Sequence, residues 1–338
     1  MPLTPAESPR VVRRYAITVL ALPALVISAA LILQLAWLAD LPDPAAIHWG
    51  PSGAPDGFGA AWTFPAVTVG LGLGLPLLVA ITTLPMLRRG ARGGTFRFMG
   101  SLALGISAFM ATLNTASVSM QRGLASAADA PSVVPTMLAA FGVGALLGVG
   151  GWFLQPRQQA QILDWEPSAG MELAPGERVV WMRTASMARW SVIMLSVIGA
   201  GMVGAAIAAW VVGELAAAWL LVGALALVAL SVAMASIFHV RVDADGLTAV
   251  AALGLPRLRV PLDDVAEAGV GPVNGFAEFG GYGLRARPGA TGIVLRNGNA
   301  LQVTRKSGRR LVITVDDALS AAAVLTALAA RAAAEKGA

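Results

Sequence analysis

LAAAWLLVGALALVALSVAMASIF, residues 215–238, runs without a charged side chain and gives way at once to His239-Val-Arg-Val-Asp243. The first part is long enough to cross, as a helix, the roughly 30 Å hydrocarbon core of a bilayer. The second alternates apolar and polar positions, the period of a strand with one buried face. The junction therefore predicts a membrane helix that passes directly into a β-rich region.

Toward the N-terminus the other apolar stretches are Tyr15–Ala39, Thr63–Leu87, Phe98–Met120, Val134–Leu154 and Trp190–Val212, and none contains Asp, Glu, Lys or Arg. Together they predict an α-helical polytopic membrane protein with about six transmembrane helices. The first stretch exceeds the roughly 7–15 apolar residues of a secretory signal, so it is expected to be retained. Composition agrees: 57% of residues are hydrophobic and 13% charged, against about 25% charged in soluble domains.

The formal charge of +5 reads as topology signal, not as a nucleic-acid surface. Arg10, Arg13 and Arg14 precede the first span, Arg88, Arg89, Arg92 and Arg97 separate the second from the third, and Arg157, Arg178, Arg183 and Arg189 precede the fifth. The alternate loops hold only Arg122, so both termini are expected in the cytoplasm of a multi-pass cell-membrane protein. Trp37, Trp62, Trp210 and Trp219 would then mark the outer interface, and Trp152 and Trp190 the inner one. Nucleic acid is not an expected partner. The chain has no cysteine, which excludes disulfides, thiolate metal sites and cysteine nucleophiles.

Within the spans, Gly70-xxx-Gly74 and Gly144-xxx-Gly148 predict close helix packing inside the bundle, with a dimer interface as the second reading. Gln34 and Asn114 are the most polar candidates, and interhelical hydrogen bonding is favoured over a substrate site for both. The lack of ionisable residues at membrane depth disfavours a coupled transporter. A facilitator for a neutral solute remains the alternative function.

The loop at 40–62 holds Leu41-Pro-Asp-Pro44, Ile47-His-Trp-Gly50 and Gly53-Ala-Pro-Asp-Gly-Phe-Gly59. Its prolines and glycines predict a rigid, turn-rich segment. His48, near Asp40, Asp43 and Asp56, is more consistent with hydrogen bonding inside the loop than with a metal site, because a second histidine is missing. His48, Trp49 and Asp56 are the candidate ligand-binding residues.

Leu41, Pro42, His48, Trp49, Gly53, Pro55, Asp56, Gly57 and Gly59 together resemble the bacterial membrane family called domain of unknown function 1648. That domain also forms the N-terminal part of the immunity protein against the sporulation-delaying toxin. Where a basic residue often follows in the family, Ala60 and Ala61 stand here. The resemblance implies a family of largely undefined biochemistry, with toxin immunity among its roles and an extracellular peptide or toxin as partner.

Residues 1–154 are thus expected to form a four-helix membrane domain and residues 155–189 a cytoplasmic linker. A membrane hairpin at 190–238 and a cytoplasmic domain at 239–338 complete the chain. The stretch Leu173-Ala-Pro-Gly-Glu-Arg-Val-Val-Trp181 resembles the lead-in of bacterial membrane proteins with pleckstrin-homology-like domains. Asp245-Gly246 predicts a hairpin turn. Further strands are expected at Arg257–Pro261, Val265–Val270, Gly283–Arg287, Gly292–Arg296, Ala300–Arg305 and Arg309–Val315. Asp316 is the expected N-cap of an alanine-rich final helix. Many short strands followed by one helix resemble the same pleckstrin-homology-like fold.

Asp243-Ala-Asp-Gly246 lacks the remaining ligands of a calcium loop. The glycines at 269, 271, 275, 280, 281 and 283 do not open a helix after a strand, so they predict a mobile loop and not a dinucleotide site. Arg305, Lys306, Arg309 and Arg310 form a basic turn suited to anionic lipid, at roughly 1 kcal/mol per charge, or to a cytoplasmic protein partner. A solvated turn explains them equally well. No nucleophile–base pair, P-loop or zinc motif is present, so neither enzymatic activity nor a cofactor is expected. A sensor or toxin-immunity protein is the favoured reading, with membrane lipids as its surroundings.

Overall fold

A computed structural model describes residues 7–50, 53–158, 165–174, 176–213 and 215–337. The chain divides into two compact units between Gln161 and Ile162.

In the first unit, the basic α1 (Glu7–Ala16), a π-helical turn at Ile17–Ala21 and α2 (Leu22–Trp37) follow one another directly, the last two forming a long apolar rod. Strands β1 (Ala45–Trp49) and β2 (Pro55–Gly59) follow, then α3 (Thr63–Gly72), α4 (Gly74–Arg88), α5 (Gly94–Ser119) and α6 (Val134–Leu154). Helix α5 is the hub, with 56% of its apolar window buried against 17–28% for the others of this unit. Several of its polar side chains face neighbours and bond to them. Gln34 of α2 donates to Thr68 Oγ1 at 3.1 Å and to Thr115 Oγ1 at 3.0 Å, joining α2, α3 and α5. Tyr15 and Thr83 share a buried hydrogen bond of 2.7 Å. Asn114 is buried on α5 with its Nδ2 unpartnered among the described residues.

The second apolar stretch is broken at Leu73. Pro76 has no N–H to give to the Gly72 carbonyl one turn earlier. Ser107 Oγ of α5 donates to that freed oxygen at 2.7 Å, so a neighbouring helix repairs the gap.

Glycine packing departs from expectation at one of the two motifs. A Cβ on Gly144 would lie 2.9 Å from the Gly105 carbonyl, and one on Gly148 3.4 Å from the Ser101 carbonyl, so α5 and α6 meet backbone to backbone. At Gly70 and Gly74 a Cβ would meet nothing within 4 Å among the described residues. The glycine of α3 that does meet a neighbour is Gly72, against Ile27 and Met110. Spacing alone does not tell which rung of a helix faces inward, and here Gly70 and Gly74 are both exposed.

In the second unit, β3 (Glu166–Pro167) and β4 (Trp181–Ser186) precede two long helices, α7 (Arg189–Val212) and α8 (Leu215–Ala235). Then come β5 (Ile237–Asp243), β6 (Gly246–Ala251), β7 (Arg257–Val260), β8 (Val265–Val273) and the short α9 (Gly275–Phe279). Strands β9 (Gly283–Arg287), β10 (Ala290–Val294), β11 (Gly298–Arg305) and β12 (Arg310–Thr314) lead to α10 (Ala318–Gly337). One sheet is the antiparallel meander β4-β5-β6-β7, and the other has the order β3-β8-β11-β12-β10-β9. Strand β10 runs parallel to β12, so the β9–β10 hairpin extends the sheet from its far side. The two sheets and α10 enclose a core that includes Phe238, Leu247, Ile293, Leu301, Ile313 and Leu325.

Residues 181–186, expected in a linker, are an edge strand. They pair with β5 in unbroken register from Trp181↔Val242 to Ser186↔Ile237. The helical pair α7–α8 is therefore an insertion between two adjacent strands of one sheet. The glycines expected in a mobile loop are mostly in regular structure: Gly269 and Gly271 lie in β8, and Gly275 opens α9. Gly269 has a steric reason, since a Cβ there would lie 2.5 Å from the Trp165 ring. At the start of α10 it is Asp317 that adjoins the helix, accepting from Ser320 Oγ at 2.6 Å and from Trp181 Nε1 at 3.3 Å. Asp316 instead pairs with Arg296.

Among the described residues seven helices are long and apolar enough to cross a membrane. The seventh, Ala318–Glu335, is the one whose inner face (Ala321, Ala322, Leu325) is packed into the β core. In α7 and α8 the apolar windows are 0% and 6% buried. Helices so apolar on every side require a lipid or protein environment.

Candidate binding hairpin on the first loop

The first loop is a hairpin, and each of its glycines at 50, 53, 57 and 59 lies where a side chain would be crowded. Strands β1 and β2 pair as Ala45↔Gly59 and Ala46↔Phe58, then shift register to His48↔Gly57 and Trp49↔Pro55. The shift brings His48 and Asp56 onto one side, with Nδ1 2.6 Å from Oδ1. Both remain open to solvent, with side chains 70% and 43% exposed. The carboxylate accepts from Nδ1–H, which leaves Nε2 as an outward acceptor in the neutral ring and a donor in the charged one.

Glycines make room for the pair. A Cβ on Gly57 would lie 2.8 Å from the Cβ of His48, and one on Gly50 would lie 2.5 Å from Asp56 Oδ2. A Cβ on Gly59 would meet Ile47 Cδ1 at 2.5 Å. Gly53 has φ +78, a conformation that favours glycine, and lies against Ser132.

Residues from the α5–α6 connection fix the hairpin from below. The Gln121 side chain acts as a substitute strand partner: its Oε1 accepts from Ala46 N at 2.7 Å and its Nε2 donates to Ala46 O at 3.0 Å. Arg122 binds Asp40 Oδ2 through Nε and Nη2 at 3.0 and 2.9 Å and stacks over Trp37. Trp49 Nε1 donates to Pro131 O at 3.1 Å. Of the three candidate ligand residues, then, His48 and Asp56 are brought together and exposed, while Trp49 is used as an anchor. Gln121 was not legible as part of the site, because one glutamine after an apolar stretch carries no pattern. Arg122 reads in sequence only as a topology charge. Among the described residues no three His, Cys, Asp or Glu side chains converge as metal ligands would.

The basic turn between β11 and β12 is less free than its charges suggest. Arg305 donates from Nη2 to Arg259 O at 2.9 Å and lies 3.6 Å from Asp264. Lys306 and Arg309 are exposed and Arg310 is half-buried. Arg305, Arg309 and Arg310 line a concavity of about 190 Å³ with Leu258, Thr291 and Leu311. Arg259 pairs with Thr248, and Thr248 with Arg241, so this turn sits well along the meander from the α8–β5 junction at Ile237.

No curated protein and no solved structure matches the chain. Residues 18–69, which run from the first apolar rod through the hairpin into α3, match the family model described as domain of unknown function (DUF1648).

Proposed function

We propose that this is a multi-pass cell-membrane protein, with both termini in the cytoplasm, that works by binding and not by catalysis. In this reading the first loop faces outward and receives an extracellular ligand, a peptide or toxin, at His48 and Asp56. The observation that carries it is the exposed His48–Asp56 pair on a hairpin held by Gln121, with Arg122 tying down the start of the loop at Asp40. A site that is rigid in its backbone and open at its polar tip suits recognition, because little order is lost on binding.

Six of the long apolar helices span the bilayer in this scheme, and α10 belongs to the β unit. That unit is read as a pleckstrin-homology-like domain. The support is a four-stranded meander facing the antiparallel β8-β11-β12 set, closed by a C-terminal helix. Its cytoplasmic role is contact with a protein partner or lipid, with Lys306 and Arg309 the most available charges.

Toxin immunity is the concrete form of this function that is tested first. Cells lacking the protein and cells carrying it are exposed to supernatants of related strains while membrane potential is recorded. Selective depolarisation of the deletion strain is expected, with rescue by the wild-type chain but not by His48→Ala. If His48→Ala rescues as well as wild type, the loop is not the receptor. If no supernatant separates the strains, the immunity reading is wrong.

A further inference from the structure

We propose that the β6–β7 turn of the second unit is a membrane-inserting lip that holds the β domain against the bilayer; this rests on reading α7 and α8 as membrane-spanning. Helix α8 ends at Ala235 and β5 begins at Ile237, so the sheet starts almost where the apolar helix stops. On the other side β4 ends at Ser186, and α7 begins at Arg189. The turn lies at this same edge, because Ala252 N donates to Ile237 O at 3.0 Å.

Its form is that of a tight presenting loop. Ala251 N donates to Pro256 O at 3.0 Å and Gly254 N to Ala251 O at 2.8 Å, with Gly254 at φ +84. Closed in this way, the turn leaves Leu253 58% and Leu255 66% exposed. One interstrand spacing of about 4.8 Å separates the turn from Ile237. Leu253 and Leu255 thus flank the tip of a turn bonded to Ile237, two residues past the end of α8, which in this reading sets them beside the membrane boundary.

The surroundings fit the same partner. Trp190, the second residue of α7, is 80% exposed, as an interfacial indole is. Arg189 and Arg257 are exposed at the same edge and suit the phosphates of the surface. The lipid contact of this domain is thus assigned to an apolar lip beside the helical hairpin, and the basic turn at Arg305–Arg310 is left for another partner.

The chain has no native cysteine, so single-site spin labels test the proposal in the full-length protein. Leu253→Cys, Leu255→Cys, Asp245→Cys and Ile207→Cys are labelled and reconstituted into phosphatidylethanolamine–phosphatidylglycerol nanodiscs. Collision with oxygen is compared with collision with a water-soluble nickel chelate. Labels at 253 and 255 are expected to favour oxygen several-fold over the chelate, with the label at 245 showing the reverse. If 253 and 255 behave as 245 does while 207 is lipid-exposed, the lip is wrong and the membrane reading of α7 stands. If 207 itself meets the chelate freely, the membrane reading fails and the proposal with it.

Discussion

At the scale of single residues, the first unit is decided by where a side chain is missing. Gly144 and Gly105 place two backbones in contact, and any Cβ at Gly144 must press on the Gly105 carbonyl at 2.9 Å. Backbone on both helices leaves nothing flexible to give way, so overpacking of about 1–3 kcal/mol is expected for Gly144→Ala. Gly70 offers the contrast, with open space around its Cα. Gly70→Ala should be neutral or stabilising by about 0.5–1 kcal/mol, the ordinary gain of removing a mid-helix glycine. Thermal unfolding of the two variants in detergent measures the difference. A loss at Gly70→Ala equal to that at Gly144→Ala would mean that Gly70 packs against something, a second copy of the chain included.

At the scale of elements, the hairpin depends on a side chain from a distant helix end. Gln121→Leu removes both amide bonds to Ala46 and leaves a buried N–H and C=O without partners. Each net hydrogen bond is worth about 0.5–1.5 kcal/mol. Local opening of residues 45–59 should therefore become roughly tenfold or more easier, visible as faster amide exchange there with α5 and α6 unchanged. Unaltered exchange in 45–59 would show that the hairpin is held by other means. The apolar stretches were legible in sequence because a charge-free run of helix length has few alternatives, and most strands of the second unit because turns such as Asp245-Gly246 punctuate alternation. What stayed hidden were relations across distance. Nothing local in Trp181–Ser186 says that its partner begins at Ile237, and nothing in Gln121 points to Ala46. The glycine motif located the candidate site, but it gave no sign that Trp49 Nε1 is bonded to Pro131 O.

At the scale of the whole molecule, the proposed topology places the first loop and the β unit on opposite sides of the membrane. With the cysteine-free background, Phe58→Cys should react with a membrane-impermeant maleimide in intact cells, and Asp245→Cys only after lysis. Both positions are well exposed, so access and not burial decides the result. Labelling of Asp245→Cys in intact cells would invert the scheme. The pairing of β4 with β5 also has a consequence for how the chain is made. Strand β4 leaves the ribosome first, and its partner follows only after α7 and α8 have been synthesised. During that interval β4 lacks its β5 partner, and if α7 and α8 span the membrane as proposed, the sheet closes only after both have been inserted. In the proposed topology, completion of the β4–β5 pairing thus follows insertion of the helical pair into the bilayer.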